Sequence, residues 1–330
     1  MTDTQRLGRH RQAAPANDRP ARRHGGAKVI AAIVTLSVIM AAVAGFGLYN
    51  VGRPAHPASR TATAGSFIGL YSHDSPASYA GVTAFTEATG VRPNVTVYYS
   101  GWLEPFKADF AATAARAGAM TLVQMDPTNV SLTAIASGQY DDYLESYARA
   151  VRAYKAPVLL SFGHEMNGDW YSWAYKHSSP AAFVAAWRHV VTLFRTQKVR
   201  NVTWVWTVNN IVRQTGIPSP APWWPGKSYV NWVGIDGYFT TSTEAFSTVF
   251  GPTIISVRSI TRNPILITET SATPATAQPA KIADLFAGIR LYDLLGFIWF
   301  DSAFKIDWRL SAAAISAFRK DAVKYRGGHS

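Results

Sequence analysis

Cysteine is absent from the chain, and that absence removes disulfide scaffolds, Cys-ligated zinc, iron–sulfur clusters and thiol nucleophiles together. Charge is also scarce. Asp, Glu, Lys and Arg make up 16% of the 330 residues, with 20 acidic against 32 basic side chains and a formal net charge of +12. The hydrophobic set reaches 48%, enough for a large core and too much for a chain that stays unfolded. The length suits about two average domains or one α/β barrel of ~250 residues.

The positive excess is concentrated at the N-terminus. Residues 1–28 carry Arg6, Arg9, Arg11, Arg19, Arg22, Arg23 and Lys28 against Asp3 and Asp18. An Arg-rich tail raises nucleic-acid binding as a question, but the adjacent segment explains it more simply. Val29–Tyr49 (VIAAIVTLSVIMAAVAGFGLY) is uncharged and long enough to cross the ~30 Å hydrocarbon core of a bilayer. Basic residues before it place the N-terminus in the cytoplasm and the rest of the chain outside. The alternative is a cleaved signal peptide, since Ala42-Val43-Ala44 has the small-x-small form of a cleavage site. The expected organisation is a basic cytoplasmic tail (1–28), a transmembrane anchor or signal segment (29–51), a Pro/Ala/Ser/Thr linker (52–65) and an exported domain (66–330). No nucleic-acid partner is expected.

From Ser66 onward, short β-branched or aromatic runs alternate with longer helical patterns, as in βαβ units with a parallel sheet. Eight strands are predicted: Phe67–Tyr71, Asn94–Tyr99, Met120–Met125, Pro157–Phe162, Val202–Thr207, Val230–Ile235, Pro264–Thr268 and Leu295–Phe300. Helical patterns include Leu103–Ala117, Asp141–Tyr154, Pro180–Gln197, Gln278–Leu294 and Ser311–Tyr325. Pro76 and Pro180 stand where first helical turns should begin, and Gly118 follows a helix end. Eight strands in ~260 residues match a (β/α)8 barrel. A doubly wound open sheet usually has fewer strands, and no Gly-rich phosphate loop follows the first strand here.

Barrel enzymes carry their reacting groups at the C-terminal ends of the strands. The fourth strand runs into Gly163-His164-Glu165-Met166-Asn167-Gly168-Asp169-Trp170-Tyr171-Ser172-Trp173, and the seventh into Glu269-Thr270. Two carboxyl groups facing each other over one mouth are what glycoside hydrolysis needs: one protonated to donate to the leaving oxygen, the other attacking the anomeric carbon or activating water. Eleven Trp residues suit the same substrate, because sugar rings stack their C–H faces on indoles. Trp102, Trp170, Trp173 and Trp299, at strand ends or in the loops after them, are the candidate sugar contacts; Trp187, Trp204 and Trp206 read as packing.

The run GHEMNGDWYSW resembles the acid/base signature of glycoside hydrolase family 26, whose best-known members are β-mannanases. Trp223 to Tyr238 (WWPGKSYVNWVGIDGY) resembles that family's segment through strand six, and the likeness extends over most of residues 66–310. It implies a retaining (β/α)8 glycosidase with Glu165 as general acid/base and Glu269 as nucleophile. It further implies that His164 contacts the sugar or the nucleophile and that Trp170 borders the leaving-group side. Tyr238 would orient the nucleophile, Trp299 would floor the sugar site, and Trp102 would match another subsite Trp. The family cleaves β-1,4-mannan, β-1,3-xylan or mixed-linkage β-glucan; mannan is the first expectation. The run after Glu269, Thr270-Ser271-Ala272-Thr273, departs from the family, many of whose members have a Gly shortly downstream.

Glu104, Glu145 and Glu244 read as solvated surface charges. Asp126 and Asp236, at strand ends, either bind sugar or cap the next helix; Asp126 is kept among the candidate substrate contacts. No second His stands at helical spacing near His164, so no metal site is expected, and no cofactor. Two other functional readings remain. One is a surface enzyme acting on a β-glucan or other polysaccharide that the cell itself exports. The other is a silent carbohydrate-binding barrel, which would need the aromatics but not the carboxylate pair.

Overall fold

The computed structural model describes residues 67–211 and 216–327. Eight parallel strands, β1 (Phe67–Ser72), β2 (Val95–Gly101), β3 (Met120–Asp126), β4 (Val158–Phe162), β5 (Val202–Asn209), β6 (Trp232–Asp236), β7 (Ile265–Thr270) and β8 (Gly296–Asp301), pair in chain order. Strand β8 returns to β1, Phe67 opposite Gly296 through Ser72 opposite Asp301, and closes the barrel. Helix α1 (Ala80–Thr89) follows β1, and α2 (Ala108–Arg116) follows β2; α3 (Leu132–Ala136) and α4 (Asp141–Tyr154) follow β3, and α5 (Pro180–Thr196) follows β4. Beyond β6 come α6 (Phe246–Val249) and α7 (Gly251–Ile260), then α8 (Gln278–Leu291) after β7 and α9 (Ala312–Gly327) after β8. Between β5 and β6 the described residues hold only two 3-10 turns, Ala221–Trp223 and Lys227–Tyr229.

The eight strands and the barrel match the sequence expectation. Helix α5 begins as its sequence requires, with Pro180 in the first turn and the Ser179 hydroxyl accepting the Ala182 N–H at 3.1 Å. Helix α4 buries Leu144, Tyr147, Ala148 and Val151, one stripe at helical spacing, and carries Asp141 and Asp142 in its first turn, where the helix dipole favours them. Two expectations differ. Pro76 does not open a helix: it lies in a turn, and α1 starts at Ala80, with Asp74 accepting the Gly81 N–H at 3.0 Å. Helix α2 starts at Ala108 rather than Leu103, because Leu103 takes a positive φ of 72° and Pro105 follows.

Strand alternation sorts side chains into two cores. Val97, Leu122, Leu159, Val205, Leu266 and Ile298 fill the barrel interior. Their outward neighbours, among them Tyr98, Val123, Leu160, Trp206 and Phe297, pack under the helices. With the interior plugged by aliphatic side chains, chemistry is confined to the open ends. No helix among the described residues is long and apolar enough to cross a membrane, and the tail 1–28, the segment 29–51 and the linker 52–65 lie outside them.

Candidate active site

Strand β4 delivers His164 and Glu165 through a turn in which Gly163 and Glu165 both take positive φ, 57° and 53°. A glutamate held in this region carries backbone strain, the kind that persists where the surroundings fix it. Here the Glu165 N–H donates to Thr207 O at 3.0 Å, tying the turn to β5. The Glu165 carboxyl is buried and doubly held: Trp170 Nε1 donates to Oε2 at 2.9 Å, and Asn209 Nδ2 donates to Oε1 at 2.5 Å. Asn209 is fixed in turn by Asn167, whose Oδ1 accepts the Asn209 N–H at 2.8 Å and whose Nδ2 donates to the Asn209 carbonyl at 2.9 Å. Burial pushes the Glu165 carboxyl up to about 7, with the negative charge of Glu269 adding to it; the His164 charge and the Asn209 and Trp170 hydrogen bonds pull the other way.

Glu269, buried on β7, lives in a different setting. Tyr99 donates its phenol to Oε1, and Tyr238 donates to Oε2 at 2.6 Å. Burial and the charge of Glu269 raise both phenols well above their ordinary value, so they stay protonated donors. One carboxyl is thus kept neutral near pH 7 beside another gripped by two donors.

His164 feels the charge of both. Its Nδ1 meets Asp126 Oδ1 at 2.7 Å, and its Nε2 meets the Tyr171 hydroxyl at 3.2 Å. Burial alone would strip the ring of its proton, but Asp126 outweighs it, with Glu165 and Glu269 assisting, and pushes the imidazole up to about 10. Both ring nitrogens are engaged, so the orientation of the His164 ring is fixed. Asp236 neither caps a helix nor faces solvent: it is fully buried, and its Oδ1 accepts the Thr268 hydroxyl at 2.6 Å. Its carboxyl is pushed well above the carboxylate range by burial, then by Glu269 and Glu165.

Glu165, Glu269, His164, Trp170, Tyr238 and Asp126 therefore come together at one mouth. Three expected aromatics do not open onto it in the same way. Trp173 is buried; it stacks on Tyr171, centroids 4.3 Å and planes 9° apart, and its indole N–H donates to the His164 carbonyl at 2.9 Å. It supports the site from beneath and is not a sugar contact. Trp299 is fully buried on the outward face of β8, against Phe318 of α9 at 6.0 Å. The next residue, Phe300, takes the inward position, stacked on Tyr71 at 4.6 Å and edge-on to Tyr238 at 5.8 Å. Trp102 is half-buried among Tyr140, Tyr143 and Phe162.

Sequence reasoning missed Tyr99, Asn209, Tyr171 and Phe300. Tyr99 carried a signal: Val95 and Val97 point into the barrel, so Tyr99 at the end of β2 must as well. Trp308, 4.7 Å from Tyr238, comes from the connection after β8, where no periodicity marks it.

A closed (β/α)8 barrel with two buried, unequally held glutamates at the ends of β4 and β7 has the form of a glycosidase. Comparison with known proteins points the same way. The sequence profile of glycosyl hydrolase family 26 matches residues 136–262, a stretch that contains Glu165 and ends before Glu269. Endoglucanase H of Acetivibrio thermocellus is 27% identical over 315 residues, covering 89% of this chain and 33% of that one. Beta-1,3-xylanase TXYA of a Vibrio species is 26% identical over 170 residues, covering 48% of this chain and 35% of that one. The chain thus spans about a third of the length of these two relatives. Among solved structures, the GH26 domain of the Prevotella bryantii endo-beta-mannanase/endo-beta-glucanase shares the fold with a TM-score of 0.61 at 13% identity, covering 80% of this chain and 94% of that one. Residues 136–262 thus carry the profile of glycosyl hydrolase family 26, on a barrel whose fold that family's solved structures share.

Proposed function

We propose that the barrel is a retaining glycoside hydrolase that cleaves a β-linked polysaccharide by double displacement. The observation that carries this reading is the unequal treatment of the two glutamates. Glu165 keeps its proton up to about pH 7, as a general acid must. Glu269 is gripped by Tyr99 and Tyr238 in a fixed orientation, as suits a nucleophile.

In the first step Glu269 attacks the anomeric carbon and Glu165 gives its proton to the departing glycosidic oxygen, leaving a glycosyl ester on Glu269. The ester has no negative charge, so one cause of the raised Glu165 pKa disappears. Glu165 then takes a proton from water, which attacks the anomeric carbon and releases Glu269. The His164 ring, held by Asp126 and favoured in its protonated form, lies beside both carboxyl groups. Trp170, 47% exposed, offers its ring to the leaving-group sugar while its N–H holds Glu165.

For substrate, β-1,4-mannan is the first candidate, with β-1,3-xylan and mixed-linkage β-glucan beside it. We further propose that residues 29–51 anchor the chain so that the barrel stands outside the cell, or are cleaved to release it. An anchored enzyme works at its own surface, which favours as a second reading a polysaccharide that the cell itself exports. The test is incubation of the chain with the three glycans, with Glu165→Gln as control. Reducing ends released from one glycan by the native chain alone support the reading. Silence on all three, or equal release by Glu165→Gln, overturns it.

A further inference from the structure

The barrel is polarised in charge. The connections into β2, β4, β5, β6 and β7 lie on the face opposite the catalytic mouth, and they carry Arg92, Lys155, Lys198, Arg200, Lys227 and Arg262, all exposed. The same five connections (90–94, 155–157, 197–201, 224–231 and 261–264) contain no Asp or Glu; acids on this side include Asp293, in the connection into β8, and Glu87, in the last turn of α1. None of the six cations is in any of the ion pairs among the described residues. On the mouth side, by contrast, Lys107, Lys176 and Arg309 are each paired with an acid, Glu104, Asp169 and Asp307.

Basic residues in the last turn of a helix answer its dipole, and Arg116, Arg195, Arg258 and Arg290 are explained that way. Lys155, the C-cap of α4, answers a dipole in the same way, and Lys227 sits in a 3-10 turn; Arg92, Lys198, Arg200 and Arg262 lie past the caps of their helices. Three groups on this face, Lys227, Arg258 and Arg262, rim a concavity of about 530 Å3 together with Trp224, room for a phosphate headgroup. Arg258 is held below its ordinary value by burial and then by the charge of Arg262, which outweigh the opposing pull of Asp293.

The described chain also enters the barrel on this face, because β1 begins there at Phe67. The uncharged segment 29–49 lies upstream, separated from the barrel by residues 52–65, a spacer that reaches about 50 Å when extended. We propose that the face of the barrel opposite the catalytic mouth docks on an anionic phospholipid surface, leaving the mouth turned away from it. The inference rests on the reading of 29–51 as an anchor. Docking by many exposed cations is electrostatic and screened by salt.

The absence of cysteine makes the test direct. Ser228→Cys labels the basic face and Ser242→Cys the mouth side, both at exposed positions. Each full chain, carrying one dye, is reconstituted into nanodiscs that hold a headgroup-linked quencher in phosphatidylglycerol or in phosphatidylcholine. Expected is at least twofold stronger quenching at residue 228 in phosphatidylglycerol. That excess disappears at roughly 1 M salt, where the screening length is about 3 Å. It also disappears in the triple variant Arg200→Gln/Lys227→Gln/Arg262→Gln, whose thermal midpoint reports on folding, and residue 242 shows no lipid dependence. Incorporation into nanodiscs with equal quenching in the two lipids overturns the docking while the anchor stands. If the chain does not incorporate, the anchor reading fails by itself. Flotation of the chain with phosphatidylglycerol vesicles then decides the docking: salt-sensitive flotation lost in the triple variant supports it, and no flotation overturns it.

Discussion

The indole N–H of Trp170 donates to Oε2 of Glu165 at 2.9 Å, so the aromatic ring most open to the cleft also sets the chemistry of the proposed acid. A hydrogen bond to the charged form of a carboxyl lowers its pKa, and Trp170 and Asn209 both act on Glu165 in this sense. Trp170→Phe keeps the ring and removes the donor. The alkaline limb of kcat/KM, set near pH 7 by loss of the Glu165 proton, should then move to higher pH by about half to one unit. A pH–rate profile on a soluble oligosaccharide measures this, and an unmoved limb would detach Trp170 from the acid.

Tyr99 and Tyr238 each give one hydrogen bond to Glu269. Bonds to a charged acceptor contribute about 1.5–3 kcal/mol, so Tyr99→Phe and Tyr238→Phe should each lower kcat by about 10- to 100-fold. Because both act on one carboxylate, the double variant is expected to deviate from the product of the two single losses. Steady-state kinetics of the four proteins complete that cycle.

Trp299 and Phe300 are neighbours with opposite assignments. Trp299→Ala removes a fully buried ring under α9 and should cost about 3–5 kcal/mol of stability, read as a lower denaturant midpoint. Phe300→Ala opens space at the mouth and should raise KM with a smaller loss of stability. Equal stability losses with no change in KM for Phe300→Ala would contradict the assignment.

Glu165 also links stability to pH. Its native carboxyl titrates at about 7, above an ordinary glutamate, so the folded state holds a proton the unfolded chain has released. The stabilisation is complete below the ordinary glutamate range and is lost as pH rises through about 7. Glu165→Gln stays neutral throughout. Its melting temperature should match the native chain's near pH 4 and exceed it by several degrees at pH 8, at about 2–4 °C per kcal/mol for a domain of this size. Calorimetry at the two pH values checks the sign.

Much of this architecture can be read from the sequence, for reasons visible at particular residues. The β-branched runs mark the strands because a parallel sheet is buried on both faces; Glu165 comes just after β4 and Glu269 stands near the end of β7. What cannot be read is which face an end residue takes once the alternation is reset. In β8 the reset occurs at Gly296, with φ 144° and no room for a Cβ against the Phe67 backbone; Leu295 and Ile298 both turn inward, which sends Trp299 out and Phe300 in. The hydrogen bond from Asn209 to Glu165 likewise joins residues 44 positions apart. It exists because β4 and β5 are neighbours, and no local pattern announces it.

The central claim is that Glu269 forms a covalent bond to the sugar while Glu165 passes a proton in each direction. Time-resolved proton NMR of the reducing-end anomers released from β-1,4-mannan, β-1,3-xylan and mixed-linkage β-glucan tests it most directly. The account expects the β-anomer to be formed first from the glycan that is cleaved, with the α-anomer growing in only by mutarotation. The α-anomer formed first would mean a single displacement by water and would contradict the account, as would the absence of cleavage on all three.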